Sequence, residues 1–252
     1  MTYSGKKRLR IILSAVDICL AIPGILVGGY FLGEKNYAFS AVLMIIFALI
    51  PFFLLFENRA LMARELMPIA VMTAIAVVGR AAFFAVPQFK PIIAIIIITG
   101  AAFGAEAGFL SGSLSMLISN FLFGQGLWTP WQMFAAGLIG YISGLIGKNK
   151  ALRKLPLLII WGLLSGFIYG IFVDSWSLLA FGEGLTLESA LTVYLLGLPY
   201  NAILAGATAI FIALLAPILL SKLERLKTKY GLIGAAEDKI PVIAEIPPKN
   251  AE

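Results

Sequence analysis

The 252-residue chain contains no histidine. The commonest metal ligand and the commonest general base are therefore missing, and no H-E-x-x-H or other histidine-based metal motif occurs. One cysteine is present, Cys19. It excludes an intramolecular disulfide and, set in an apolar run, reads as a packing or lipid-facing residue. No G-x-x-x-x-G-K-[ST] phosphate loop occurs, so the chain is not itself a P-loop ATPase. Charge is scarce at 13% of residues, about half the share of soluble domains. Few acidic groups fall inside the apolar runs, so a relay of proton-carrying carboxylates is not expected.

What is there is apolar: 61% of residues are hydrophobic and the mean hydropathy is +0.99. Several runs approach ~20 residues, the length that crosses ~30 Å of hydrocarbon. They are continuous rather than alternating, which predicts helices and not a barrel. The fold class expected is an all-α integral membrane protein with about eight transmembrane helices. The runs cover about residues 9–32, 37–56, 66–86, 92–103, a fifth from the Gly104–Gly108 turn to 123, then 131–146, 156–173 and 191–220. The basic start and first run resemble a signal peptide, but the run is long and lacks a small-x-small site, so it reads as an uncleaved helix. Gly197, Pro199 and Pro217 are expected to kink the last helix, and the Pro-rich tail to be loose.

All but three of the 19 Lys and Arg lie in residues 1–10, in connectors 57–65 and 147–155, or after the last run; the exceptions are Lys35, Arg80 and Lys90. With eight spans these segments share one side, and the positive-inside rule places both termini in the cytoplasm. The net charge of +6 then reports topology, with some attraction to anionic membrane lipid; no nucleic-acid partner is expected. Connectors 87–91, 124–130 and 174–188 fall outside, and they are rich in aromatic and polar groups.

The segment 121–133, FLFGQGLWTPWQM, joins two apolar runs. Gly124 and Gly126 allow a tight turn, and Pro130 suits the first turn of a helix. Trp128 and Trp131 can anchor at a membrane boundary or stack on a flat ligand. Gln125 and Gln132 can donate and accept without charge. Pairing aromatic faces with amides on one outward turn favours the ligand reading over the anchor.

Arg80 lies inside the third run, one to two turns from its outer end. It marks a functional site or snorkels to the headgroups, with Asp174 and Glu183 as external partners. Ala70, Ala74, Ala81 and Ala85 form a small-residue stripe on the same helix, suited to internal packing or to docking of another subunit. Gly100, Gly104, Gly108 and Gly112, and separately Gly162, Gly166 and Gly170, recur every four residues and read as internal packing. Asn120, Gln125, Gln132 and Asn201 sit near outer helix ends, where uncharged amides orient ligands in apolar pockets. Asp17 reads as a partner of the N-terminal basic cluster.

Residues 62–221 resemble the substrate-binding S component of energy-coupling factor (ECF) vitamin transporters. The resemblance rests on Ala70-x-x-x-Ala74, on Gly79-Arg80-Ala-Ala-Phe83, on Gln88-Phe-Lys-Pro91, and on Ser119-Asn120 followed by Gly124 to Met133. It looks like the cobalamin branch. The resemblance implies a six-helix core at residues 58–223, an extra N-terminal two-helix hairpin at 1–57 and a cytoplasmic tail at 224–252. It implies a non-enzymatic subunit that captures a vitamin-like small molecule without a cofactor. Its partners would be a transmembrane coupling protein (EcfT-like), docked on Ala70 and Ala74, and two ATPase subunits. The ligand site would combine Arg80, Asn120, Gln125, Trp128, Trp131, Gln132, Trp176 and Asn201, with Trp176 closing it from the connector after the seventh helix. Two other classes compete: a membrane enzyme acting on a lipid through Asp174, Glu183 and Glu188, and a self-contained secondary transporter.

Overall fold

A computed structural model describes residues 63–126, 128–149, 153–181 and 186–230, together with 12–13, 16–24, 42–43, 46–47 and 50 of the N-terminal part. Six α-helices make up the body: α1 (Ala63–Ala82), α2 (Ile92–Phe103), α3 (Ala105–Phe123), α4 (Trp128–Gly147), α5 (Leu155–Phe181) and α6 (Leu187–Tyr230). No strand occurs among the described residues. The protein is an all-α integral membrane protein. α5 and α6 are each long and apolar enough to cross a bilayer. Most of the expected N-terminal hairpin, the Cys19 side chain, Lys35, Glu183 and the C-terminal tail beyond Tyr230 lie outside the described residues. A π-helical turn at Asp17–Ala21 is described, and Ile22 beside it is buried in the same apolar cluster as the core of the body.

α2 is the centre of the bundle. All 12 of its residues are buried, and it packs against each of the other five helices. Twelve residues rise only ~18 Å, well short of the ~30 Å hydrocarbon thickness, so α2 is an inner strut wrapped by longer helices. Pro91 precedes its first turn, a position that loses no helical hydrogen bond. Gly104 alone separates α2 from α3. Its φ of 100° lies where a side chain would be strained, and its N–H donates to the Gly100 carbonyl at 2.8 Å. The Gly104–Gly108 turn expected from sequence is thus a single residue.

Apart from Gly104, which has open space where a Cβ would point, the two glycine rows are internal packing. A methyl at Gly108 or Gly100 would collide with the Gly140 carbonyl, one at Gly112 with the Ala136 carbonyl, and one at Gly144 with Ala105. α3 and α4 therefore meet backbone to backbone. In the second row, Gly162 faces Ile212, Gly166 faces Ala205 and Gly170 faces Asn201, which seats α5 on α6. Small residues permit such approach where dispersion, rather than water expulsion, joins helices in lipid. Hydroxyls add cross-links: Thr73 to Ser111 at 3.0 Å and the Trp161 indole N–H to Ser143 at 2.8 Å.

The ends of α5 and α6 differ from expectation. α5 runs on through Asp174, Ser175, Trp176 and Ser177, which as a polar cluster read as a connector. The helix accommodates them because the Ser175 and Ser177 hydroxyls donate to the Ile171 and Val173 carbonyls of the preceding turn at 2.7 and 3.3 Å and Asp174 accepts from Asn201 of α6. α6 starts at Leu187 behind a capping box, in which the Thr186 hydroxyl accepts from the Ser189 N–H at 3.1 Å and Ser189 Oγ accepts from the Thr186 N–H at 3.2 Å. Its other end extends to Tyr230, roughly 66 Å at the α-helical rise, far beyond one span. There Lys227 donates to the Ala102 carbonyl at 2.7 Å and Arg153 pairs with Glu224 at 2.7 Å, tying the extension to the end of α2 and to the basic connector.

Candidate ligand site at the tryptophan end

The α3–α4 turn begins at Gly124, whose φ of 101° ends α3 and whose N–H donates to the Asn120 carbonyl at 2.8 Å. α4 then starts at Trp128, one turn earlier than the sequence implies, with Pro130 in its first turn. That start brings Thr129 and Gln132 to face the end of α3.

Four of the eight expected site residues meet there. Arg80, in the last turn of α1, donates from Nη1 to Asn120 Oδ1 at 2.8 Å and to the Ser119 hydroxyl. The Asn120 amide then donates to Thr129 Oγ1 at 3.0 Å and to Gln132 Oε1 at 2.8 Å. Thr129 donates to Gln125 Oε1 at 2.9 Å, and Gln125 Nε2 donates to the Leu117 carbonyl at 2.9 Å. Asn120 and Thr129 are 1% and 0% exposed. The chain from Arg80 to Gln125 thus links α1, α3 and α4 through polar groups that satisfy one another, as buried polar groups must. Arg80 does not pair with Asp174, which bonds to Asn201 instead, and Glu183 lies outside the described residues. Its guanidinium carbon instead lies 4.4 Å from the centre of the Phe123 ring, a cation–π contact.

The tryptophans divide. Trp131 and Trp176 are neighbours, with ring centres 6.4 Å apart and planes at 41°. Trp176 is buried and belongs to α5, not to a connector; it reaches the site because α5 is longer than expected. Trp128 is 39% exposed, and its ring lies over Gly126, where a methyl would strike it.

Asn201 does not join the Arg80 group. It donates to Asp174 Oδ2 at 2.7 Å across the α5–α6 seam. Each side chain uses the other helix's glycine as a socket: Asn201 over Gly170 and Asp174 over Gly197. The pair lines a groove of about 430 Å³ with Tyr194, Leu195 and Leu198.

Sequence reading missed three participants. Thr129 is the junction of the amide chain; its position just before Pro130 at a helix start is the signal that marks it. Phe123 carries the Arg80 contact. Lys90 places its ammonium 5.0 Å from the centre of the same Phe123 ring, and burial, followed by the Arg80 charge, holds it below the usual lysine range. The connector that delivers it is pinned by aromatics, with Phe89 5.3 Å from Phe211 and 6.0 Å from Phe83 between ring centres.

The comparisons with known proteins agree with this architecture. A family model described as the S component of ECF-type riboflavin transporters matches residues 60–225, which contain α1 to α5 complete and all but the last five residues of α6. A UPF0397 protein of Aliivibrio fischeri (strain MJ11) is 30% identical over 98 residues, 36% of this chain and 53% of the relative. The chain thus aligns with about half the length of that curated relative. No solved structure matches. With its matched segment covering most of the chain and coinciding with the six-helix body, the protein belongs to the family of ECF-type riboflavin transporter S components.

Proposed function

We propose that the protein is the substrate-capture subunit of an ECF-type importer in the cell membrane and binds a vitamin-like nutrient with a flat conjugated ring. It binds without catalysing. The observation that carries the reading is the coincidence of the family match with a body whose tryptophan end gathers Trp131, Trp176, Arg80, Asn120 and Gln132. Two indoles supply flat apolar surface, and the amide chain supplies oriented donors and acceptors at its edge. The resemblance in sequence favours cobalamin, whereas the family is named for riboflavin; both fit a flat conjugated ring with polar edges. Residues 58–223 form the capture core in this reading, 1–57 an added hairpin and 224–252 a tail. Titrating the purified protein in detergent with riboflavin and with cyanocobalamin, by tryptophan fluorescence, tests it. Saturable binding of one of them is expected; a folded protein that binds neither would sink the vitamin assignment.

The partners of the reading are a transmembrane coupling protein and two ATPase subunits. Ala70 and Ala74 support a docking surface, because both are exposed on α1, between Met67 and Val71 at 64% and 51% exposure and Val78 at 66%. A small-residue strip flanked by larger apolar side chains suits close approach of another helix. Ala70→Trp or Ala74→Trp should abolish uptake in cells while ligand affinity of the isolated subunit stays within ~2-fold, since neither residue touches the Arg80 group. Equal loss of binding and uptake would argue against docking. The basic end is cytoplasmic in this reading. A cysteine at Val86 should label from outside in intact cells and one at Asn149 should not; the reverse pattern overturns the orientation.

A further inference from the structure

Arg80 and Lys90 approach one ring, Phe123, at 4.4 and 5.0 Å. Neither has a carboxylate partner among the described residues. Two like charges on a half-buried aromatic surface repel and are poorly solvated, and such an arrangement costs stability unless an anion completes it. Long basic side chains commonly escape this by snorkelling away. Lys90 is prevented from doing so by its backbone. The Phe89 N–H donates to the Pro87 carbonyl at 2.7 Å, closing a three-residue turn around Gln88, whose φ is 56°. Turns of this hand are strained and persist where surrounding structure enforces them. Here Phe89 is held against Phe83 and Phe211 on one side of Lys90, and Pro91 sits against Gly79 on the other, where a methyl would collide with it. Arg80 is also fixed. Its hydrogen bonds all leave from Nη1, to Ser119, Asn120 and Met116 Sδ, so Nη2 and Nε have no acceptor among the described residues.

We propose that Arg80 and Lys90 form, across Phe123, a binding site for a phosphoryl anion. The guanidinium offers paired N–H groups, the geometry that matches phosphate oxygens, and the ammonium adds a point charge. A phosphate monoester carries about −1.5 to −2 at neutral pH, which balances both cations, whereas a carboxylate leaves one uncompensated. The phosphoryl group belongs either to a soluble ester or to a phospholipid headgroup. The exposed Phe84, Phe121 and Leu122 nearby, at 68%, 74% and 65% exposure, place the site beside lipid. The proposal deepens the capture reading by assigning the ligand site an anionic edge, yet it stands without knowledge of the vitamin.

The test uses inorganic phosphate and phosphatidic acid. Purified protein in detergent is titrated with phosphate at constant ionic strength and its unfolding temperature followed. A saturable rise is expected, with the half-maximal concentration raised at least ~10-fold in Lys90→Gln, the scale of one lost charge-assisted bond, and restored in Lys90→Arg. A second arm compares nanodiscs of phosphatidylcholine with and without phosphatidic acid. Stabilisation that depends on Lys90 in that arm, with no further response to phosphate, assigns the site to lipid. Wild type and Lys90→Gln responding alike in both arms overturns the proposal. Phosphate binding without binding of riboflavin or cyanocobalamin would sink the vitamin reading alone. Vitamin binding with a Lys90-independent phosphate response would sink this one alone.

Discussion

The α3–α4 seam behaves differently at its two ends. Towards the basic end, Gly108 lies against Gly140 and Gly144 against Ala105, and backbone meets backbone. Towards the tryptophan end, Asn120, Thr129 and Gln132 stand between the same helices, bonded to one another at 2.8 to 3.0 Å. The first region has no side chains to vary; its geometry is fixed by close approach. The second consists of amides and a hydroxyl whose partners can be exchanged. A rigid glycine contact at one end holds the pitch of two helices, and a hydrogen-bonding surface at the other is thereby positioned without needing its own apolar core.

The largest effect is expected from breaking the glycine end. A single extra methylene in a packed interior costs about 1–3 kcal/mol, and Gly140→Leu adds a whole side chain against the Gly108 carbonyl. Gly140→Leu should give no folded protein in detergent, judged by size-exclusion and thermal unfolding. Recovery of a monodisperse protein with near wild-type stability would show that the seam is not the rigid element.

This contrast was readable in the sequence at one end only. The four-residue glycine spacing predicts close packing whatever the partner helix, because every missing side chain must be filled by a neighbour. The last six apolar runs likewise gave the six helices of the body and their order. Polar groups misled, because loops and satisfied helical segments share a composition. Asp174 to Ser177 look like a connector until the bonds of Ser175 and Ser177 to the preceding turn are seen, and that error placed Trp176 outside α5. Asn201 was expected beside the other amides, and its bond to Asp174 across the α5–α6 seam joins two distant segments that no local pattern connects. The pairing of Arg80 and Lys90 over Phe123 depends on three separate segments, and no local pattern contains it.

A middling effect is expected at the paired indoles. Truncating a buried aromatic at a binding centre costs about 2 kcal/mol or more, roughly a 30-fold loss of affinity. Trp131→Ala should weaken binding of riboflavin or cyanocobalamin, whichever the wild type takes, at least ~10-fold while leaving the unfolding temperature nearly unchanged. Unaltered affinity would remove the Trp131–Trp176 pair from the site and leave the amide chain as a purely structural link between helices.

The smallest effect separates the two tryptophans that the sequence treats alike. Trp128 and Trp131 are three residues apart in the first turn of α4, and both were expected to face a ligand. Trp128 is 39% exposed and lies over Gly126, whereas Trp131 is half-buried against Trp176. A ring held over its own turn contributes local packing and a boundary anchor, and it gains little from a ligand seated against Trp131 and Trp176. Trp128→Ala should therefore change affinity for the same ligand by less than ~3-fold, under ~1 kcal/mol, and should instead lower the yield of inserted protein. Gly126→Ala, which displaces the Trp128 ring without removing it, should have the same signature, since a methyl there meets the indole edge. Comparable losses of affinity in Trp128→Ala and Trp131→Ala would mean that the turn reorganises around the ligand, bringing Trp128 across Gly126 into the site. The two variants measured side by side by calorimetry decide whether the turn is an anchor or a lid.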